Sequence, residues 1–263
     1  MRSSTILVLA AIVIALSGCA NLSADEIAKK MQEKYESIED FRSVVSITFY
    51  HNNTTTTLEY EYLYKKPNKV KMVSLNEDAT FVSNGKKMWS YDRKSNRVFV
   101  FEVGEYTPKA PDYGTIVEEM LENYNVELVG SEKVSGRDCY VIRLTPKNDS
   151  MGGEMEMWVD MEYWFPLKIV QEMPAGKMIT EYRNVRFNIG IDDSEFEFEI
   201  PEGAEVVTEK DLGIEKPESI EEAQKMVNFT LLVPEYTANL ELRSITVVNG
   251  KAVTMMYGDG GGF

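Results

Sequence analysis

One histidine, His51, and two cysteines are all that 263 residues offer of the side chains that most often hold zinc or serve as catalytic bases. A zinc site of the usual ligand types is excluded by that scarcity, and a Ser-His-Asp triad would have to rest on one loop imidazole beside Asn52 and Asn53. Also missing are a glycine-rich phosphate loop and a paired-glycine dinucleotide fingerprint leading from a strand into a helix. Positive charge is short as well. The chain has 28 Lys and Arg against 43 Asp and Glu, a formal charge of −15, so its average surface repels phosphate backbones and anionic headgroups. Nucleic acid, metal and cofactor therefore fall outside the expectation, and so does an enzyme activity. The acids of Asp192-Asp193 and of Glu195, Glu197 and Glu199 lie at alternate positions without the turn of a calcium loop, and read as a solvated face.

Of the two cysteines, Cys19 closes Leu16-Ser17-Gly18-Cys19, behind about fourteen apolar or small residues and a single Arg2. A basic start, a short apolar core and a small residue before the cut make an export signal, and this core is too short to span a bilayer comfortably. A Cys after a Leu-small-Gly triplet is the pattern of bacterial-type lipoprotein signals, in which that Cys becomes the lipidated first residue. The alternatives are an ordinary signal cut near Ala20 or an uncleaved anchor. Burial of acyl methylenes at about 0.8 kcal/mol each would hold the product on the outer face of the cytoplasmic membrane. Cys139, within Asp138-Cys139-Tyr140-Val141-Ile142, then has no disulfide partner in the chain and reads as a buried, inert thiol in a strand. Sequons at Asn52, Asn53, Asn148 and Asn228, with another at Asn21, are candidate glycosylation sites.

Hydrophobic periodicity divides the remainder. Ser23 followed by Glu26 is a capping box, and Ile27, Met31, Tyr35 and Ile38 recur at helical spacing, which predicts one amphipathic helix over 23–41. From Arg42 the period is two: Val45, Ile47 and Phe49 on one side, then Leu58, Tyr60, Tyr62 and Tyr64. Turns at Lys66-Pro67-Asn68, Asn84-Gly85, Arg93 to Asn96 and Ser135-Gly136 punctuate further strands, and the local pairings predict an antiparallel meander. A short helix is expected over 112–124, with Ile116, Met120, Leu121 and Tyr124 on one face. The run Asp192 to Gly203, with acids and aromatics in alternation, predicts a closing strand. A third helix over 217–228 and strands around Asn249-Gly250 form a small tail, expected to dock on the main sheet or to be part of a longer module. The expected division is a signal at 1–19, a main unit at 20–208 and a small α+β appendage at 209–263.

The order of these pieces resembles a known family. The N-terminal helix after an export signal, the long meander, Trp158-Val159-Asp160 leading to Phe165-Pro166-Leu167-Lys168, and the closing Phe196-Glu197-Phe198-Glu199-Ile200-Pro201-Glu202-Gly203 are similar to the LolA-like superfamily of outer-membrane lipoprotein-sorting and carrier proteins. The likeness covers roughly residues 23 to 207. It implies an α+β, mainly antiparallel fold: a curved, half-open β-barrel of ten or eleven strands whose apolar concave face is covered by two helices and binds acyl chains. Residues 217–236 resemble a small uncharacterised extracytoplasmic domain with no assigned chemistry. A lipidated Cys19 departs from the pattern of a diffusing carrier, and favours a tethered receiver, lipid binder or sensor.

Within that frame the candidate groove residues are Met88, Trp89, Phe99, Phe101, Met155, Met157 and Val159. Methionine suits a wall that must accept chains of varying shape, and Val98 to Phe101 are apolar on both sides of their strand. Plain core packing is the competing account of each. Ile27, Met31, Tyr35, Ile116 and Met120 are the candidate lid. An enclosed chain of about fifteen methylenes would gain about 12 kcal/mol in gross transfer, before ordering costs, so no catalytic group is needed for affinity. The expected partners are lipid or lipoprotein acyl chains and the membrane. The alternative is a sensor or interaction module that binds a protein partner through the tail.

Overall fold

The computed structural model describes residues 22–51, 54–103, 120–148, 153–174, 176–237 and 240–258. Ser23 caps helix α1 (Ala24–Glu36): its hydroxyl accepts from the Glu26 backbone N–H at 3.2 Å, while the Glu26 carboxylate accepts from the Ser23 N–H at 2.8 Å. This capping box satisfies donors that a helix start leaves orphaned. The helix stops at Glu36, short of the expected residue 41, because Asp40 is already committed elsewhere. Its buried carboxylate accepts the N–H groups of Ile189, Gly190 and Ile191 at 2.8, 3.0 and 3.1 Å, which draws the chain into a strand.

Twelve strands, against the expected ten or eleven, make one sheet. The first meander is β1 (Asp40–His51), β2 (Thr54–Lys65), β3 (Lys69–Ser74), β4 (Ala79–Ser83), β5 (Lys87–Asp92) and β6 (Arg97–Glu102). The second is β7 (Tyr124–Val134), β8 (Arg137–Pro146), β9 (Met155–Asp160), β10 (Pro166–Met173) and β11 (Gly176–Phe187). They join where β1 pairs antiparallel with β11, from Phe41 opposite Phe187 to His51 opposite Gly176. The additional strand, β12 (Glu205–Thr208), runs parallel to β6 and makes one edge; β7 makes the other. The sheet is large, curved and open, not closed into a barrel.

Strand alternation sorts the side chains into two faces, and the register aligns them from strand to strand. Phe41, Tyr64, Val70, Ser83, Met88 and Phe101 follow one another across β1 to β6 on the face that carries α1. Leu63, Lys71, Val82, Trp89 and Val100 lie on the reverse face.

The run 192–203, expected as a strand, is a 3-10 turn (Asp193–Phe196) followed by extended chain outside any ladder. It straps the reverse face. Phe196 is fully buried against Leu63 and Ile191, and the Phe198 ring lies 6.3 Å from Trp89 and 5.9 Å from Tyr91. The intervening acids meet cations of the sheet: Asp193 with Lys65 and Lys69 at 2.6 and 2.7 Å, Glu195 with Lys71 at 3.2 Å, and further on Glu205 with Arg97 at 2.8 Å. A strap needs the same alternation as a half-buried strand, so the pattern alone did not distinguish them.

The Trp158 to Lys168 motif is a braced hairpin. Asp160, 1% exposed, takes Arg137 through both oxygens at 2.6 and 3.1 Å and accepts the N–H groups of Glu162 and Tyr163 at 3.1 and 2.7 Å. Burial, and then the neighbouring Asp160 charge, push the Cys139 thiol beside it up to about 11, so it stays protonated and inert.

A second, three-stranded sheet comprises β13 (Ile214–Glu215), β14 (Glu241–Val248) and β15 (Ala252–Gly258). Helix α2 (Ile220–Met226), shorter than the expected 217–228, supplies Ala223 to a small core with Ile245 and Val247. Asn249, Gly250 and Lys251 turn β14 into β15, and φ of 50° and 61° at the first two fall in the left-handed region that Asn and Gly tolerate best.

Lys65, then Lys69, hold the Asp193 carboxyl down at about 2, from 3.8. A lowered folded-state value gives stability that is present above the unfolded value and lost as pH falls through the folded one, here between 3.8 and about 2. Asp193→Asn should therefore lower the urea midpoint at pH 7, with a gap that shrinks in salt and vanishes by pH 2. Equal midpoints throughout would show that the strap does not depend on this pair. Arg137→Ala, which strands the buried Asp160 carboxylate, should cost about 3 kcal/mol in urea unfolding; a loss within error of zero would mean that solvent replaces the guanidinium.

Candidate functional site

The face that carries α1 is the candidate site. Ile27 and Met31 of α1, each 1% exposed, pack with Ile142 and Leu144 of β8, Val159 of β9, Trp164 and Met120. The chain leaves β6 near one edge of the sheet and re-enters as β7 at the other; at that re-entry residues 120–123 are helical and Met120 is buried in the same cluster as α1. Ile116 and the rest of the expected second helix, together with Cys19, Asn52 and Asn53, lie outside the described residues. Asn148 and Asn228 are exposed.

Beyond this cluster the face is lined by aromatic and unbranched apolar side chains that are only half-buried. Tyr60 and Tyr62 of β2, Met72 of β3, Phe81 of β4, Met88 of β5, Phe99 and Phe101 of β6, and Tyr182 of β11 share it by register. Phe41 sits at the join, stacked on Tyr62 at 5.5 Å and within 5.1 Å of Phe165, whose edge meets Tyr182 at 5.0 Å.

The electrostatics of this wall are those of a dry surface. Burial, with the nearby Tyr182 and Tyr64 hydroxyls adding, holds the Tyr62 phenol far above the usual tyrosine range. Burial alone raises Tyr182, and burial raises Tyr64 against a hydroxyl hydrogen bond from Tyr35 that ties α1 to the wall. On the reverse face Lys168 of β10 lies over the Trp158 ring at 4.3 Å, Lys177 of β11 lies over the Tyr50 ring at 5.1 Å, and two arginines of β1 and β11 are engaged with acids: Arg42 with Glu61 and Arg183 with Glu59.

The structure brings together six of the seven residues named from sequence as groove candidates, but in two places. Met155, Met157 and Val159 belong to the cluster under α1, where Val159 is fully buried and the methionines half-buried at its margin. Met88, Phe99 and Phe101 lie on the same face at the opposite wing. Trp89 does not join them: it points to the reverse face, under Phe198. Strand alternation places Trp89 opposite Met88 whichever face is apolar, so naming both was inconsistent with the pleat. Tyr62 and Tyr182 lie on this face too, and neither was among the candidates named from sequence. The alternation of Leu58, Tyr60, Tyr62 and Tyr64 was the available signal. His51 ends β1 exposed.

A family profile described only as "Uncharacterized protein" matches residues 62–188, from mid-β2 to the end of the main meander. The uncharacterised protein MJ0687 of Methanocaldococcus jannaschii is 40% identical over 255 residues, 93% of this chain and 73% of that protein. The chain belongs to the MJ0687 family. Its main sheet is a LolA-like domain: the outer-membrane lipoprotein carrier protein of Francisella philomiragia is similar at 26% identity over 147 residues, 55% of this chain and 69% of that protein. A chain of the Pseudomonas aeruginosa MucA/MucB complex is similar at 14% identity and a TM-score of 0.47, over 88% of this chain and 77% of that one.

For this member of the MJ0687 family, a raised phenol implies stability that is intact below the ordinary tyrosine value of 10.0 and lost as pH rises above it. Tyr62→Phe should therefore reduce the fall in urea midpoint between about pH 9 and pH 11. An identical fall in both proteins would place the Tyr62 hydroxyl in water.

Proposed function

We propose that this chain is a non-enzymatic, extracytoplasmic lipoprotein that binds a lipid, or the acyl part of a lipoprotein, along the helix-bearing face of its LolA-like sheet. The observation that carries this reading is the half-buried apolar wall running from Tyr182 through Tyr62, Met72 and Phe81 to Phe99 and Phe101. Sheet faces with ordinary cores bury such side chains fully, as the reverse face does with Phe196 and Val98. An acyl chain laid along the wall would complete the burial at about 25 cal/mol per Å² of apolar surface, without any group that reacts. In this reading residues 20–208 are the binding unit, Ile27, Met31, Tyr35 and Met120 belong to the lid, and 209–263 is an appendage. A lipidated Cys19 would tether the product to the outer face of the cytoplasmic membrane, shortening the search for ligands drawn from the bilayer.

The test is direct. Protein purified without detergent should release acyl lipids on solvent extraction, and the delipidated protein should take up a fluorescent acyl-chain probe with micromolar or tighter affinity. Phe99→Asp with Phe101→Asp should weaken uptake at least tenfold while leaving the far-UV circular dichroism intact. Absence of both extracted lipid and probe uptake in the wild type would overturn the reading. Intact mass of the mature N-terminus separately decides whether Cys19 is modified.

A further inference from the structure

Ser43 is out of place on the wall just described. It lies on β1 directly opposite Tyr62 of β2, it is 2% exposed, and its hydroxyl has no hydrogen-bond partner. A buried hydroxyl left unpaired costs about 1–3 kcal/mol, so natural structures satisfy nearly all of them. The backbone on its other side is irregular as well. The β1–β11 register passes from Arg42 opposite Arg186 to Val44 opposite Arg183, so Ser43 faces a bulge, and Asn184 within it has φ of 54°. Bulges bend a strand and re-aim side chains, and they are over-represented beside functional sites. Tyr182 lies next on the same face of β11, paired with Val45, so Ser43, Tyr62 and Tyr182 are neighbours across the three central strands.

We propose that Ser43, with the hydroxyls of Tyr62 and Tyr182, forms a polar seat in the apolar wall for an uncharged oxygen of the ligand, such as an ester carbonyl or a glycerol hydroxyl. The inference rests on the lipid-binding reading and narrows it to neutral acyl esters. A serine hydroxyl both donates and accepts, and tyrosines held protonated by burial donate, which suits a neutral acceptor. An anionic head would find no counter-charge on the described residues of the flanking strands. Among the described residues of β1, β2 and β11, Arg42, Lys65, Lys177, Arg183 and Arg186 all fall on the reverse face by register. His51 shares the face with Ser43 but lies about 26 Å away along the strand. A carboxylate or phosphate buried at Ser43 would be desolvated without a partner, whereas an ester would exchange one set of hydrogen bonds for another.

The experiment compares three probes on delipidated full-length protein: mono-oleoylglycerol, oleate at pH 8, and 1-octadecene, which has no oxygen. The wild type should bind mono-oleoylglycerol most tightly. Ser43→Ala should weaken mono-oleoylglycerol roughly three- to tenfold, the worth of one hydrogen bond, and leave 1-octadecene unchanged. Its Tm without ligand should be equal to the wild-type value or higher, since the hydroxyl removed has no partner. Tyr182→Phe should show the same selectivity for the ester. If all probes bind and neither variant discriminates mono-oleoylglycerol from 1-octadecene, the seat is overturned while the apolar site stands. If the wild type takes up none of the three, the lipid-binding reading fails and the seat falls with it. A drop in Tm for unliganded Ser43→Ala would also overturn the seat, because it would show that the hydroxyl already serves the fold.

Discussion

A pleated sheet has two faces, and every residue in it must belong to one or the other. That constraint governs the molecule. In β2, Tyr60, Tyr62 and Tyr64 are committed to one face and Glu59, Glu61, Leu63 and Lys65 to its reverse. A slip of one residue would turn the phenols into solvent and bury the carboxylates, so the pairing of β1 with β2 over its full length is strongly specified. Because the same sorting continues through β1 and β11, charged side chains collect on the reverse face and apolar ones on the face under α1.

Among the described residues the two faces are covered unequally, and simple dimensions show why. Twelve strands at about 4.8 Å spacing span about 50 Å across the sheet, whereas a helix is only about 10 Å wide. Among the described residues α1 and the helical turn at 120–123 therefore cover only part of the width of their face. The reverse face solves the problem with a strap: Phe196 and Phe198 supply apolar cover, and Asp193 and Glu195 hold the crossing in register over Lys65, Lys69 and Lys71. Exposed ion pairs contribute at most about 1 kcal/mol each, so the burial of Phe196 anchors the strap and the charges choose its path. On the other face no described element does the same for the wing formed by Met88, Phe99 and Phe101.

What could be read from sequence was what is local. The Ser23 to Glu26 box, the Asn249-Gly250 turn and the periods of α1 and β2 need only neighbouring residues, and they stand as expected. Pairing of β1 with β11 joins residues more than a hundred positions apart, and no local pattern encodes it. Alternation assigns residues to two faces without saying which face is inward, yet it separates Trp89 from Met88 either way, so grouping them followed apolar character and not the pleat. The strap was misread because acids and aromatics alternate in it for the same geometric reason as in a strand. Ser43 had no signal at all: a serine in a strand becomes informative only when its burial and its missing partner are known.

Unequal cover also explains the chemistry of the wall. A half-covered face made of leucine and isoleucine would invite association between copies, because exposed apolar patches seek burial. Here much of the wall is tyrosine, methionine and phenylalanine, and outside it the chain carries a net charge of −15, which keeps copies apart. Tyrosine offers a broad apolar ring with a hydroxyl that a neighbour can satisfy, as Tyr35 does for Tyr64. Methionine reshapes to follow whatever lies against it at little strain. The same substitution of types that makes an uncovered face tolerable in water makes it receptive to a flexible chain, so solubility when empty and affinity when filled follow from one choice of side chains.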